Sequence, residues 1–384
     1  MPVPSVHTGP EQEHEVTPLE LFFDLVFVFG MSQLSHHLRI HLSWHGAAET
    51  LVMLIAIFLV WFRTSWSVTM IPADRSRTLW MILTVMLLGL FMNASVTSAF
   101  TISGYAFVIP YLLIQLGRTL WTYFNAPNAV YREHYFRVLI WLIPTIPLWV
   151  AGAAADSDVR LLWWGLAAGI DLLGTWLAHP LPGRRLHSEN VGFDTNHMLE
   201  RCRLFLLIAL GETIIETGTA IAEVSMTLMT LVTGTAALVG TVALWALNFG
   251  HSHRPAMPYR EKAYDPIRIS RYAVNALIGL FAGLIAVAVG NELVITHPEG
   301  ATSLSLSLLL YGGSILYLLA QRWYLRAALG DLTRLRFIGS IALAAVGLFT
   351  LTTPPYISLI LLSVSLTILA IFDQRTTGQP GSVA

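Results

Sequence analysis

An all-α polytopic bundle of about twelve membrane-crossing helices is the fold class this sequence predicts, and three observations predict it. Twenty of the twenty-two Lys and Arg residues fall in every second gap between apolar runs, and only Arg39 and Arg160 fall in the others. Hydrophobic residues make up 55% of the 384 and charged residues only 12%, with a mean hydropathy of +0.64. A soluble chain of this length would need far more charge. Finally, the apolar runs are roughly 17 to 24 residues long, as a helix needs to cross a hydrocarbon core about 30 Å thick.

Span 1 is expected at 19–38. Thr17-Pro18-Leu19-Glu20 reads as its start, with Thr17 as N-cap, Pro18 at the first helical position and Glu20 closing a capping box. Span 2 (47–66) is followed by Arg63, Arg75 and Arg77; spans 3 (78–98) and 4 (102–123) lead to Arg118, Arg132 and Arg137. Span 5 (136–153) precedes span 6 (160–178), where Trp163 and Trp164, like Trp61 in span 2, read as interfacial anchors. Arg184, Arg185, Arg201 and Arg203 surround the next gap, then come spans 7 (199–222) and 8 (226–249). Arg254, Arg260, Lys262, Arg268 and Arg271 precede span 9 (270–291), whose Gly279 and Gly283 suit close helix contact, as do Gly312-Gly313 in span 10 (304–325). After Arg322, Arg326, Arg334 and Arg336, spans 11 (335–352) and 12 (354–372) are separated only by Thr353, Pro354 and Pro355, and a re-entrant hairpin there would leave the orientation unchanged. Arg375 follows.

By the positive-inside rule both termini and every basic gap are expected in the cytoplasm of a cell membrane. The expected organisation is a tail at 1–18, a six-span half at 19–178, a linker at 179–198, a second half at 199–372 and a tail at 373–384. The first 18 residues carry Glu11, Glu13 and Glu15 and no cleavable signal pattern, so span 1 is expected to be retained. Cys202 is the one cysteine, which excludes an intrachain disulfide framework. The basic gaps suit anionic lipid headgroups, not nucleic acid. A faint duplication supports two parallel halves: Leu19-Glu20 against Leu199-Glu200, Trp61 and Trp66 against Trp245 and Phe249, and Tyr111-Leu-Leu-Ile-Gln115 against Tyr317-Leu-Leu-Ala-Gln321.

Glu20-Leu-Phe-Phe-Asp-Leu-Val-Phe-Val28, His197-Met-Leu-Glu-Arg201 with Leu204-Phe205, and Leu210-Gly-Glu212 together resemble the bacterial low-temperature-requirement A (LtrA) family. The resemblance covers most of the chain and implies a multi-pass membrane protein without an assigned chemistry. Two departures stand out. Cys202-Arg203 occupies the place of the family's usual Phe-Gly, and Gly250 stands where span 8 usually ends in Asp, so no site using that carboxylate carries over.

Function is then sought among the groups a bilayer disfavours. An ionisable side chain in the hydrocarbon region costs several kcal/mol unless it faces a polar cavity or a partner. At roughly 1.5 Å per residue, Glu212 lies about 19 Å into span 7 and Asp171 about 16 Å into span 6, with Glu216 one turn beyond Glu212. No Lys or Arg is expected at that depth. Asp171, Glu212 and Glu216 are therefore candidate proton or cation carriers, against a packing role assisted by Thr213 and Thr217. Asp24, roughly 7 Å into span 1, matches the depth of Arg118 in span 4. An ion pair between them would be a staple or a gate at the cytoplasmic mouth.

His36, His37, His41 and His45 cluster at the outer end of span 1, and an interfacial loop around Trp44 explains them better than a metal site. His251 and His253 carry still less, and His134, His179 and His297 mark span ends. Gln33, Asn93, Gln115, Asn248, Asn275 and Asn291 read as helix-packing amides. No phosphate-binding glycine loop, His-Glu-x-x-His motif or large soluble segment is present, so neither an enzyme nor a cofactor is expected. The reading is a permease-like protein coupled to protons or a cation, its partners being membrane lipids and a small solute or cation that the sequence leaves unspecified. A sensor, scaffold or lipid-organising protein is the alternative, and oligomeric partners stay open.

Overall fold

The computed structural model describes residues 16–71, 76–182, 194–250, 266–329 and 334–378. Its regular structure is helical, with no strand among the described residues. The helices are α1 (Pro18–Ile40), α2 (Trp44–Met70), α3 (Ser76–Ala94), α4 (Gly104–Asn125), α5 (Ala129–Leu142), α6 (Thr145–Ala154), α7 (Ser157–Trp176), α8 (Thr195–Glu223), α9 (Leu228–Phe249), α10 (Pro266–Thr296), α11 (Leu304–Ser307), α12 (Gly313–Leu329), α13 (Arg334–Phe349) and α14 (Pro355–Gly378). The expected stretches are all helical. Among the described residues, ten segments are long and apolar enough to cross a bilayer, counting α5 with α6 and α11 with the start of α12. The last two stretches are both among them. The tails at 1–15 and 379–384, most of the linker, and His251 and His253 lie outside the described residues.

Expected spans 3 and 11 end in short 3-10 turns, Val96–Ser98 and Thr350–Thr352, and two other spans are interrupted within. Span 5 breaks between α5 and α6 at Pro144, whose ring removes a donor and clashes with the preceding turn. Span 10 contains a one-turn π-helix, Leu308–Gly312, between α11 and α12. Such a turn re-aims the side chains that follow it.

Many large apolar side chains, including Phe22, Phe91, Leu162, Ile215 and Leu348, are exposed on the chain. That surface would be unfavourable in water and suits lipid. Within the bundle, α1 packs on α2 and α3, α3 on α4, α4 on α5, α2 on α7, and α6 on α7. In the second half, α8 packs on α9 and α10, α10 on α12, α12 on α13, α9 on α14, and α13 on α14. The two halves meet through α1 and α2 against α8 and α10.

Small residues set the α10–α12 crossing. A Cβ placed on Gly283 would stand 2.6 Å from the Gly313 carbonyl oxygen, and one on Gly279 would stand 2.8 Å from the Ala320 Cβ. The backbones therefore touch, as the glycine spacing predicts. Gly283→Ala is expected to destabilise the protein by about 1–3 kcal/mol through overpacking, measured by thermal unfolding in micelles. Unchanged stability would mean the two helices can separate freely.

Candidate functional site

At the basic end of the bundle, the starts of α1 and α8 meet across the boundary between the halves. Thr17 and Glu20 form the expected capping box: the Glu20 carboxylate accepts from the Thr17 amide at 2.9 Å, and the Thr17 hydroxyl caps the Glu20 amide. Glu20 also reaches across to α8, with His197 Nε2 at 3.1 Å and Arg201 Nη1 at 3.5 Å. Asp24 accepts from Arg201 Nη2 at 2.8 Å and from the Trp61 indole at 2.7 Å. The Arg201 guanidinium lies over the rings of Phe23 and Trp61, and Trp61 stacks on Phe205. All three charged groups are buried, with Asp24 fully inaccessible. Trp61 is thus an interior donor, not an interfacial anchor.

Asp24 therefore meets Arg201, and the expected partner Arg118 lies elsewhere. Equal depth along two helices left open which helices are neighbours. Arg118 donates to Gln115 Oε1 at 2.7 Å and to the Thr119 hydroxyl, on its own helix.

At the opposite end of the same boundary, Arg39 of α1 pairs with Glu292 of α10 at 3.1 Å. Between the two ends lie the half-buried Glu212 and Glu216 of α8. Ser35 of α1 and Glu292 of α10 are both within electrostatic reach of Glu216. Thr213 and Thr217, expected to assist these carboxylates, instead return their hydroxyls to the backbone of α8, at Leu210 and Thr213. The centre of the boundary is aromatic: Phe58 and Phe205 both pack on Phe281. Arg160, the other basic residue off the basic end, donates to the carbonyls of Ala99, Gly152 and Ala155, tying three chain segments together.

Asp171 belongs to a separate network inside the first half. It accepts from Arg63 of α2 at 3.1 Å and from the Tyr111 hydroxyl of α4 at 3.0 Å. Gln115 donates to the same hydroxyl and Arg63 also reaches Thr175. The expectation that no arginine reaches Asp171 is overturned because α2 continues to Met70, so Arg63 is an interior helix residue rather than a span end. Asp171 and Glu212 are not brought together.

Beside this network is a cavity of about 50 Å³, lined by Phe62, Arg63, Trp66, Arg118, His134, Tyr135, Val138, Thr175, Ala178 and His179. Two consecutive left-handed residues, Ala178 (φ 59°) and His179 (φ 51°), close it just past α7. Non-glycine residues in that region store about 1–3 kcal/mol each and tend to gather at ligand sites. His179 is held well below the usual histidine range, first by burial and then by Arg63, His134, Arg137 and Arg118. It is neutral near pH 7.

The remaining candidates have local explanations. α1 ends at Ile40, so the four histidines do not share one helix. Glu49 bridges His37 at 3.0 Å and His45 at 3.2 Å. Among the described residues no group of three or more His, Cys, Asp or Glu is placed to hold a metal ion. Asn93 donates to the Val26 carbonyl, and Gln321 to Asn248. Sequence reasoning missed Arg63, Arg201, Glu292 and the Arg336–Asp373 pair at 3.1 Å. The signal for Arg201 was present, since it ends the second signature motif.

Comparison with known proteins gives one family. The sequence model described as "Bacterial low temperature requirement A protein (LtrA)" matches residues 15–371. An uncharacterized protein of Rhizobium meliloti (strain 1021) is 28% identical over 314 residues, covering 80% of this chain and 76% of the relative. No solved structure matches.

Proposed function

The chain belongs to the bacterial low temperature requirement A family, and from that premise we propose that it is a permease-like carrier of a small solute, coupled to protons or a cation. It is a multi-pass membrane protein, with ten segments among the described residues long and apolar enough to cross a bilayer. The proposal adds that it has twelve spans in two parallel six-span halves, both termini in the cytoplasm of the cell membrane, and no enzymatic activity of its own. The corresponding order of helix neighbours in the two halves supports the duplication, and the arginine-rich gaps support the orientation.

The observation that carries the reading is the boundary between the halves. Ionic contacts stand at both of its ends, Asp24–Arg201 and Arg39–Glu292, and Glu212 and Glu216 lie between them on α8. Contacts of this kind can open alternately as halves rock, exposing the carboxylates to one side at a time. Asp171 is left out of the carrier role, since Arg63 already neutralises it. The aromatic packing of Phe58, Phe205 and Phe281 supports a second reading, a static sensor or scaffold whose halves stay joined.

Proteoliposomes containing a pH-sensitive dye and a panel of small metabolites separate the two. In a Cys202→Ala background, Arg39→Cys and Glu292→Cys joined by a reducible thiol cross-linker lock one end of the boundary. Solute-dependent proton movement is expected for at least one panel member. Glu212→Gln or Glu216→Gln is expected to abolish it, and the cross-link to stop it until reduced. No flux across the panel, or flux indifferent to the cross-link, favours the static protein.

A further inference from the structure

We propose that the cavity among Arg63, Arg118, His134 and His179 is a binding site for one small monovalent anion, a halide or a small oxyanion such as nitrate or formate. This goes beyond the transport reading and does not rest on it, because the residues lining the cavity come from α2, α4, α5, α7 and the turn after α7 and include neither Glu212 nor Glu216.

Charge is the first argument. Among the described residues two guanidiniums line the cavity and no carboxylate does. Arg63 is paired from behind by Asp171, whereas Arg118 has only the neutral Gln115 and Thr119 as hydrogen-bond partners among the described residues. With His179 neutral, the group carries one surplus positive charge, and Arg118 is only 2% exposed. A buried, uncompensated charge is strongly unfavourable, and a counter-ion in contact with it relieves the penalty.

Unused donors are the second. Arg63 Nε and Nη1 and Arg118 Nε lack a hydrogen-bond partner among the described residues, as do His134 Nδ1 and both ring nitrogens of His179, of which the neutral ring supplies one N–H donor and one acceptor. Buried polar atoms are rarely left so, and several converging on one small cavity call for an acceptor. An anion with several lone pairs and no donors fits this set; a cation does not. Size is the third argument. About 50 Å³ matches a halide or a three- or four-atom oxyanion more closely than a phosphodiester headgroup or a sugar acid. The Phe62, Trp66 and Val138 walls are apolar, which favours weakly hydrated anions over strongly hydrated ones.

The test uses the full chain in micelles at constant ionic strength, with sodium gluconate replaced stepwise by chloride, bromide, nitrate or formate. At least one is expected to raise Tm saturably, by about 3–6 °C at a hundredfold excess over Kd. Arg118→Gln is expected to remain as stable as the parent in gluconate, having lost a buried charge, yet to lose the response at least tenfold in apparent affinity. Arg118→Lys should retain part of it. No response to any of the four, or a response unchanged in Arg118→Gln, overturns the proposal. Should the variants fail to fold, radiolabelled chloride and formate retained by the unmodified protein, together with Tm in bromide and nitrate, decide: about one ion per chain of either label supports the site, and no retention with no Tm response refutes it. Flux measurements are independent, so a protein that transports nothing still passes or fails here.

Discussion

Arg201→Gln is expected to cost about 3–5 kcal/mol of stability, among the largest effects of any single substitution in the chain. The guanidinium is 1% exposed, joins Asp24 and Glu20, and lies over two aromatic rings. Its loss leaves a carboxylate with one remaining donor, the Trp61 indole, in a site that water does not reach. Asp24→Asn is expected to be harmful alone as well. The double variant Asp24→Asn with Arg201→Gln should recover, showing a coupling of about 1–3 kcal/mol in a double-mutant cycle. Combined with Arg118→Gln, Asp24→Asn should be additive to within about 0.5 kcal/mol. Additivity with Arg201 and coupling with Arg118 would reverse the assignment of partners.

Asp171→Ala is expected to be of similar size, about 3–5 kcal/mol, because it strands Arg63 and removes the acceptor of the Tyr111 hydroxyl at once. Asp171→Asn keeps an acceptor without the charge and should fall between the parent and Ala. Thermal unfolding in gluconate measures both. The same Asn variant gives a reading of opposite sign in chloride: its cavity now has two unbalanced guanidiniums, so the anion should bind more tightly than in the parent. An Asp171→Ala protein as stable as the parent would mean that Arg63 finds another partner at no cost.

The fold was readable because the bilayer imposes one length scale and one polarity on every crossing segment. Runs such as 226–249 match their helices almost to the residue. Breaks were less legible. Pro144 interrupts an apolar run without changing its hydropathy, and the π-turn before Gly313 has no compositional mark. Side-chain pairing was least legible of all. Asp24 was singled out by depth alone, and depth does not name a neighbour; only the packing of α1 on α8 selects Arg201 over Arg118. Arg63 was assigned to a span end because arginine usually sits there, whereas a buried Asp171 lets it lie inside the helix. The cavity could not be read at all, since its walls come from four helices and the turn after α7.

The union of α1 with α8 also sets an order of events in biogenesis. Asp24 leaves the ribosome 177 residues before Arg201, which at about 5–20 residues per second is a wait of roughly 9–35 s. Throughout that interval the first helix carries an unneutralised acid toward the lipid. Holding α1 near the membrane surface or in a hydrated channel until α8 arrives, or keeping the acid protonated, would avoid the cost of that charge. Truncated chains ending before residue 195 are expected to be extracted by alkali more readily than chains that include α8; that result would make the Asp24–Arg201 clamp the checkpoint at which the first half becomes committed to the bilayer.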